Sequence, residues 1–197
     1  MDLQTYRNCA AKTESLPESI TCSHALISGI LVSLEELTNI LDSIKKNMFY
    51  KRSLMEEADI KSSLQNISSL LQDLSKGDIT TQDVSVIDVQ QIRVLHSMIG
   101  IITESAGELP SLVNSVIKEG NLDHVNLNEE YGDVMWYIDR GLDSIGTSIE
   151  QSLDININKL SARYPEGHFD NERAINRSLD VEREILDTLV YDEKKET

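Results

Sequence analysis

A chain of 197 residues is long enough to bury one sizeable core. Its 34 Asp and Glu outweigh 18 Lys and Arg, giving a net charge of -16 that repels nucleic-acid polymers and anionic membrane surfaces. With 40% hydrophobic residues, only 3 Pro and 9 Gly, and abundant Leu, Ile, Glu and Ser, the composition favours an all-α fold. Cys9 and Cys22 make no disulfide framework, and Met1–Lys12 lacks an apolar run. No apolar stretch is expected to reach the roughly 20 residues of a membrane span. These features predict a cytoplasmic protein.

Residues 1–20 begin polar, with a turn at Leu16-Pro17-Glu18-Ser19. A helix is expected from Cys22 to Lys46, where Leu26, Ile27, Ile30, Leu34, Leu37, Leu41 and Ile44 keep the helical period. After a charged connection at 47–58, a second helix is expected over Asp59–Leu74, stopped by Lys76-Gly77-Asp78. A third is expected from Asp83 or Ser85. Pro110 lacks the N–H that a helix interior needs, so a kink is expected beside Gly107 before the helix resumes to Ile117. A fourth helix is expected over Leu127–Leu142 and a fifth over Ser148–Arg163, ended by Tyr164-Pro165-Glu166-Gly167. The tail from Asn171 to Val190 reads as one amphipathic helix, and 191–197 as a frayed end.

The chain also carries a weak internal repeat. SLEEL at 33–37 matches SAGEL at 105–109 with an offset of 105 − 33 = 72, which His24 and His96 share. DIKSSLQNISSLL from Asp59 matches NLNEEYGDVMWYI from Asn126 with an offset of 126 − 59 = 67. The expected organisation is a bundle of two helical hairpins within one compact domain. Residues 1–80 form a degenerate hairpin, 81–190 the working one, and 191–197 the tail. Ser63 and Asn66 in the first copy fall opposite Glu130 and Asp133 in the second.

Glu104 and Glu108 are four apart, and Glu130 and Asp133 three apart, so each pair shares a helix face. Each pair borders an apolar stripe. If the two segments pack antiparallel, four carboxylates converge. Clustered carboxylate oxygens call for a hard divalent cation, Mg²⁺ or Mn²⁺. The alternative is that all four are solvated helix acids. Asn156, Lys159 and Arg163 share one face of the fifth helix and are candidate phosphate contacts, or a solvated basic patch. Tyr164 either terminates that helix or lines a nucleotide pocket. Trp136 is a core residue or a base contact, and His96 reads as a core histidine.

The run His96–Leu109, the run Val125–Tyr137, Asn156-Ile-Asn-Lys-Leu160 with Arg163-Tyr-Pro-Glu-Gly167, and the tail from Asn176-Arg177 to Leu186 together resemble MazG-like nucleotide pyrophosphohydrolases. The resemblance covers residues 90–186. It implies an all-α, Mg²⁺-binding enzyme that hydrolyses a nucleoside triphosphate to the monophosphate and pyrophosphate. Such enzymes pair hairpins from two subunits, so the resemblance implies a homodimer or a self-contained pseudo-dimer. It also implies that Glu104, Glu108, Glu130 and Asp133 bind metal and that Glu104 or Glu129 orients the attacking water. The family's first motif is Glu-x-x-Glu, whereas here three residues separate Glu104 from Glu108; Glu130-x-x-Asp133 keeps the second motif. Two other readings are an all-α dUTPase or dCTPase with a narrow base pocket, and a helical protein that binds a nucleotide or partner without turnover.

Overall fold

The computed structural model describes residues 1–77, 79–84 and 87–192, with side chains to 187. It is all-α apart from two short strands. Helix α1 spans Leu3–Ala10, strand β1 Thr21–Cys22, α2 His24–Tyr50, α3 Glu57–Lys76 and β2 Gln82–Asp83. Helices α4 Val89–Ala106, α5 Leu109–Glu119, α6 His124–Ser144, α7 Ile149–Arg163, α8 Asn171–Ile175 and α9 Leu179–Asp192 follow.

The chain divides into two compact units, Ser19–Val86 and Met1–Glu18 with Ile87–Thr197. The first unit is the hairpin α2–α3, closed at its base by the antiparallel pair Thr21↔Asp83 and Cys22↔Gln82. Ser23 caps α2 by accepting the Leu26 N–H at 3.4 Å. Lys51 ends it in the left-handed region, φ 54°. The two helices meet where Gly29, lacking a side chain, admits Leu74. Ser33, one turn on, is buried and donates to the Gly29 carbonyl at 2.9 Å. Ile67 is the buried residue of α3.

Helix α2 has the length and composition to cross a membrane, against the expectation that no apolar stretch is long enough. Glu35 and Glu36 interrupt that stretch, and its Gly29–Ser33 face packs on α3. The apolar residues Ile30, Leu37, Leu41 and Met48 lie exposed.

The second unit is organised on the antiparallel pair α4–α6. Gly100 receives the Tyr137 ring and Gly141 receives Ser97, so the backbones approach closely. Asp88 and Gln91 form a reciprocal cap at the start of α4. Gly107 ends α4 and α5 restarts at Leu109 with Pro110 in its first turn, the interruption expected from that proline.

Three expectations are corrected. The segment before residue 20 holds α1, which Asp2 caps by accepting the Thr5 N–H at 2.7 Å. Helix α4 begins at Val89, because Asp88 caps it there. The tail is two helices: α8 ends at Ile175, and Ser178 accepts the Val181 N–H at 3.5 Å to start α9. Tyr191 and Asp192, expected in the frayed end, belong to α9, and the expectations placed on Asp78, Ser85 and 193–197 lie outside the described residues.

Candidate metal centre

The break between α4 and α5 positions the first two acids. Glu104 sits half-buried in the last turn of α4, and Glu108 sits exposed at the first residue before α5. The Glu108 carbonyl accepts the N–H groups of Ser111 and Leu112 at 3.0 and 3.2 Å. The Ser111 hydroxyl donates to the same carbonyl at 2.9 Å. The extra residue between the acids therefore falls in the break, where helical spacing no longer applies.

Helix α6 positions the others. Asp123 accepts the N–H groups of Val125 and Asn126, each at 3.0 Å, and so starts the helix three residues before the expected Leu127. Glu130 lies two turns in and is 7% exposed, whereas Glu129 and Asp133 point to solvent. Burial pushes the Glu130 carboxyl above the usual carboxylate range, and the charges of Glu108, Glu104, Asp133 and Glu129 push it further. Among the described residues, no cation or hydrogen-bond donor pairs with it. The other four predicted acids thus act on one buried carboxylate.

The donor chemistry of this group fits a hard divalent cation: every ligand is an anionic oxygen, and the buried one lacks a counter-charge. The side chains stand apart, and among the described residues no three His, Cys, Asp or Glu side chains form a metal cage.

Behind the acids, α6 carries an ionic core that the sequence reading missed. Asp139 and Arg140 are each 1% exposed and pair with one another. Arg7 of α1 donates to Asp139 Oδ1 at 3.3 Å and to the Thr147 carbonyl at 2.9 Å. Arg93 of α4 holds Glu14 through two hydrogen bonds of 3.1 and 2.8 Å and reaches Asp143 at 2.9 Å. The Arg140 Nε is buried without a partner. This network holds the N-terminal segment on α6 and brings Tyr6 towards the acids. Burial raises the Tyr6 phenol, and the charges of Asp139 and Asp133 raise it further against that of Arg140. Asp2 three residues before Thr5 was the signal for α1; no pattern in one sequence pairs Arg7 with Asp139, 132 residues away.

The predicted substrate contacts are placed differently. Arg163 Nε and Nη2 donate to Glu182 Oε1 and Oε2 at 2.7 and 2.6 Å, tying α7 to α9. Lys159 is half-buried and its charge reaches Glu182; Asn156 is exposed. Among the described residues no hydrogen bond or ion pair joins these three to the five acids. Tyr164 packs beside Phe169 with ring centroids 5.8 Å apart, in a cleft shared with Ile157, Leu160 and His168. The Trp136 indole N–H donates to Thr13 Oγ1 at 3.0 Å. Its ring meets Tyr137 edge-on at 4.9 Å, and His96 packs on both rings, at 6.1 and 5.4 Å. His96, Trp136 and Tyr137 thus form a half-buried edge-to-face cluster.

No family model matches the chain and no solved structure matches it. A stretch of 95 residues, 48% of the chain, is 32% identical to translation initiation factor IF-2 of Clostridium botulinum (strain Eklund 17B / Type B). The chain spans 12% of that relative's length.

Proposed function

We propose that the chain is a Mg²⁺-dependent nucleoside triphosphate pyrophosphohydrolase, releasing the monophosphate and pyrophosphate. The observation that carries this reading is Glu130: a buried carboxylate that feels the charges of Glu108, Glu104, Asp133 and Glu129, with no cation of its own among the described residues. Glu104, Glu108, Glu130 and Asp133 would hold the metal. When bound, the ion would neutralise the phosphate charge and supply an activated water. Exposed Glu129 is free to orient the attacking water and take its proton.

Arg163 favours a second reading. A guanidinium already held bidentately by Glu182 is not free for a substrate phosphate, and this suits a protein that binds nucleotide without turnover. Pyrophosphate release from a panel of ribo- and deoxyribonucleoside triphosphates, with Mg²⁺, Mn²⁺ and chelator, separates the readings. Metal-dependent release supports the hydrolase, and a single preferred base narrows it to a dUTPase or dCTPase. Nucleotide binding without release from any member leaves the second reading.

A further inference from the structure

The end of α7, helix α8 with the turn after it, and the start of α9 line an open surface cavity of about 170 Å³. In a chain of net charge -16, three of its eight arginines, Arg163, Arg173 and Arg177, line it. Ser178 and Asn176 add polar groups, and Ala162 and Val181 an apolar wall. The one lining carboxylate is Glu182, already held by Arg163 at 2.6 and 2.7 Å. Arg173 is half-committed, reaching Glu166 outside the cavity at 2.8 Å. Arg177 makes no ion pair or hydrogen bond among the described residues. Three guanidiniums against one paired carboxylate leave the cavity with net positive charge. The first turn of α9, a helix of 14 residues, brings the positive end of its dipole, against which Asp180 and Glu182 of the same turn stand. No aromatic ring lines the cavity, so nothing in it would recognise a base.

We propose that this cavity binds a small oxyanion of the phosphate class, held by Arg177 and Arg173 with the Ser178 hydroxyl as a further donor. Guanidinium groups match phosphate oxygens two at a time, and Arg177 spends no hydrogen bond on another described residue, although its charge reaches Glu182. The anion is either free, as phosphate or pyrophosphate, or the phosphate end of a nucleotide. None of the acids of the candidate metal centre lines the cavity, so the site stands whether or not those acids hydrolyse anything.

The test is calorimetric titration of the full chain with pyrophosphate, and with a non-hydrolysable nucleoside triphosphate analogue, in chelator at low salt. Wild-type protein should bind pyrophosphate, with affinity falling as salt rises. Arg177→Ala should weaken binding at least tenfold, Arg173→Ala should weaken it less, and Arg183→Ala, outside the cavity, should leave it unchanged. Circular dichroism checks that helix content is kept, and Arg177→Gln serves if the alanine variant misfolds. Loss of both ligands in the Arg177 variants assigns the phosphate end of a nucleotide; loss of pyrophosphate alone assigns a free anion. Absence of binding to wild type, or affinity unchanged by both Arg177 substitutions, overturns the site.

Discussion

The hairpins α2–α3 and α4–α6 both cross at a glycine, but what lies one and two turns from the crossing differs. Gly29 admits Leu74 in the first; Gly100 admits Tyr137 in the second. Seven residues before each partner stand Ile67 (74 − 7 = 67) and Glu130 (137 − 7 = 130), buried at 8% and 7% exposure. Four residues after each glycine stand Ser33 and Glu104. The first hairpin therefore puts an isoleucine and a hydroxyl where the second puts two carboxylates. Matching Leu74 with Tyr137 gives an offset of 137 − 74 = 63, about one helical turn from the 67 read in the sequence. Counted from the crossing, Ile67 takes the place that Glu130 has, where the sequence offset would put Ser63. A buried apolar residue at a crossing needs nothing further. A buried carboxylate there, near four others, needs either a proton or a counter-charge.

Exchanging the roles of the two crossings is the strongest test of that contrast. Glu130→Ala should lower metal-dependent pyrophosphate release by about 10³-fold or more while keeping the helix content. Ile67→Ala should do the reverse, costing about 2–4 kcal/mol in urea unfolding with kcat/KM unchanged. An Ile67 variant that loses activity without losing stability would mean that the first hairpin takes part in the chemistry. Ser63→Ala and Asn66→Ala should change neither property.

The ionic core under α6 has no counterpart among the described residues of the first hairpin. Arg140→Ala leaves Asp139 buried, with Arg7 its remaining partner, and should cost about 3–5 kcal/mol. Hydrogen exchange should rise in α1, α4 and α6 and stay unchanged in α2–α3. A uniform rise would mean that the two units unfold together.

The helices were legible because their signals are local: the period of Ile27 to Ile44, the stop at Gly77, the break forced by Pro110. The acids were legible because pairs at spacings of three and four must share a face. What was missed depends on long-range pairing or on competing caps. Arg7–Asp139 joins residues 132 apart, and nothing local distinguishes that arginine from a solvated one. Arg163 was read as a phosphate ligand because its partner Glu182 lies beyond an intervening turn and helix. The tail reads as one helix because the apolar spacing of Ile175 and Leu179 runs straight through the break, whereas α8 ends with its cap at Asn176 and Ser178 starts the backbone again.

The two glycines differ in what an added methyl would strike. At Gly100 it meets the rigid Tyr137 ring, itself packed on Trp136 and His96; at Gly29 it meets the rotatable end of Leu74. Gly100→Ala should cost about 1–3 kcal/mol in thermal or urea unfolding, and Gly29→Ala less than about 1 kcal/mol. Equal costs would mean that α2 and α3 are packed as tightly as α4 and α6.

The smallest effect concerns the buried acid itself. Its carboxyl is raised in the folded state, so the fold binds its proton more tightly than the unfolded chain does. Its stability contribution is therefore greatest below the ordinary glutamate range. It is lost as pH rises through the raised value, leaving a penalty at neutral pH. Glu130→Gln removes the charge and keeps the shape, so in chelator at neutral pH its Tm should exceed that of wild type. The gap should close as pH falls to 4. Mg²⁺ should then raise the wild-type Tm at neutral pH and leave that of Glu130→Gln nearly unchanged, because a cation relieves only a penalty that exists. If Mg²⁺ raises both equally, the ion binds elsewhere, and the contrast between Ile67 and Glu130 is one of packing alone.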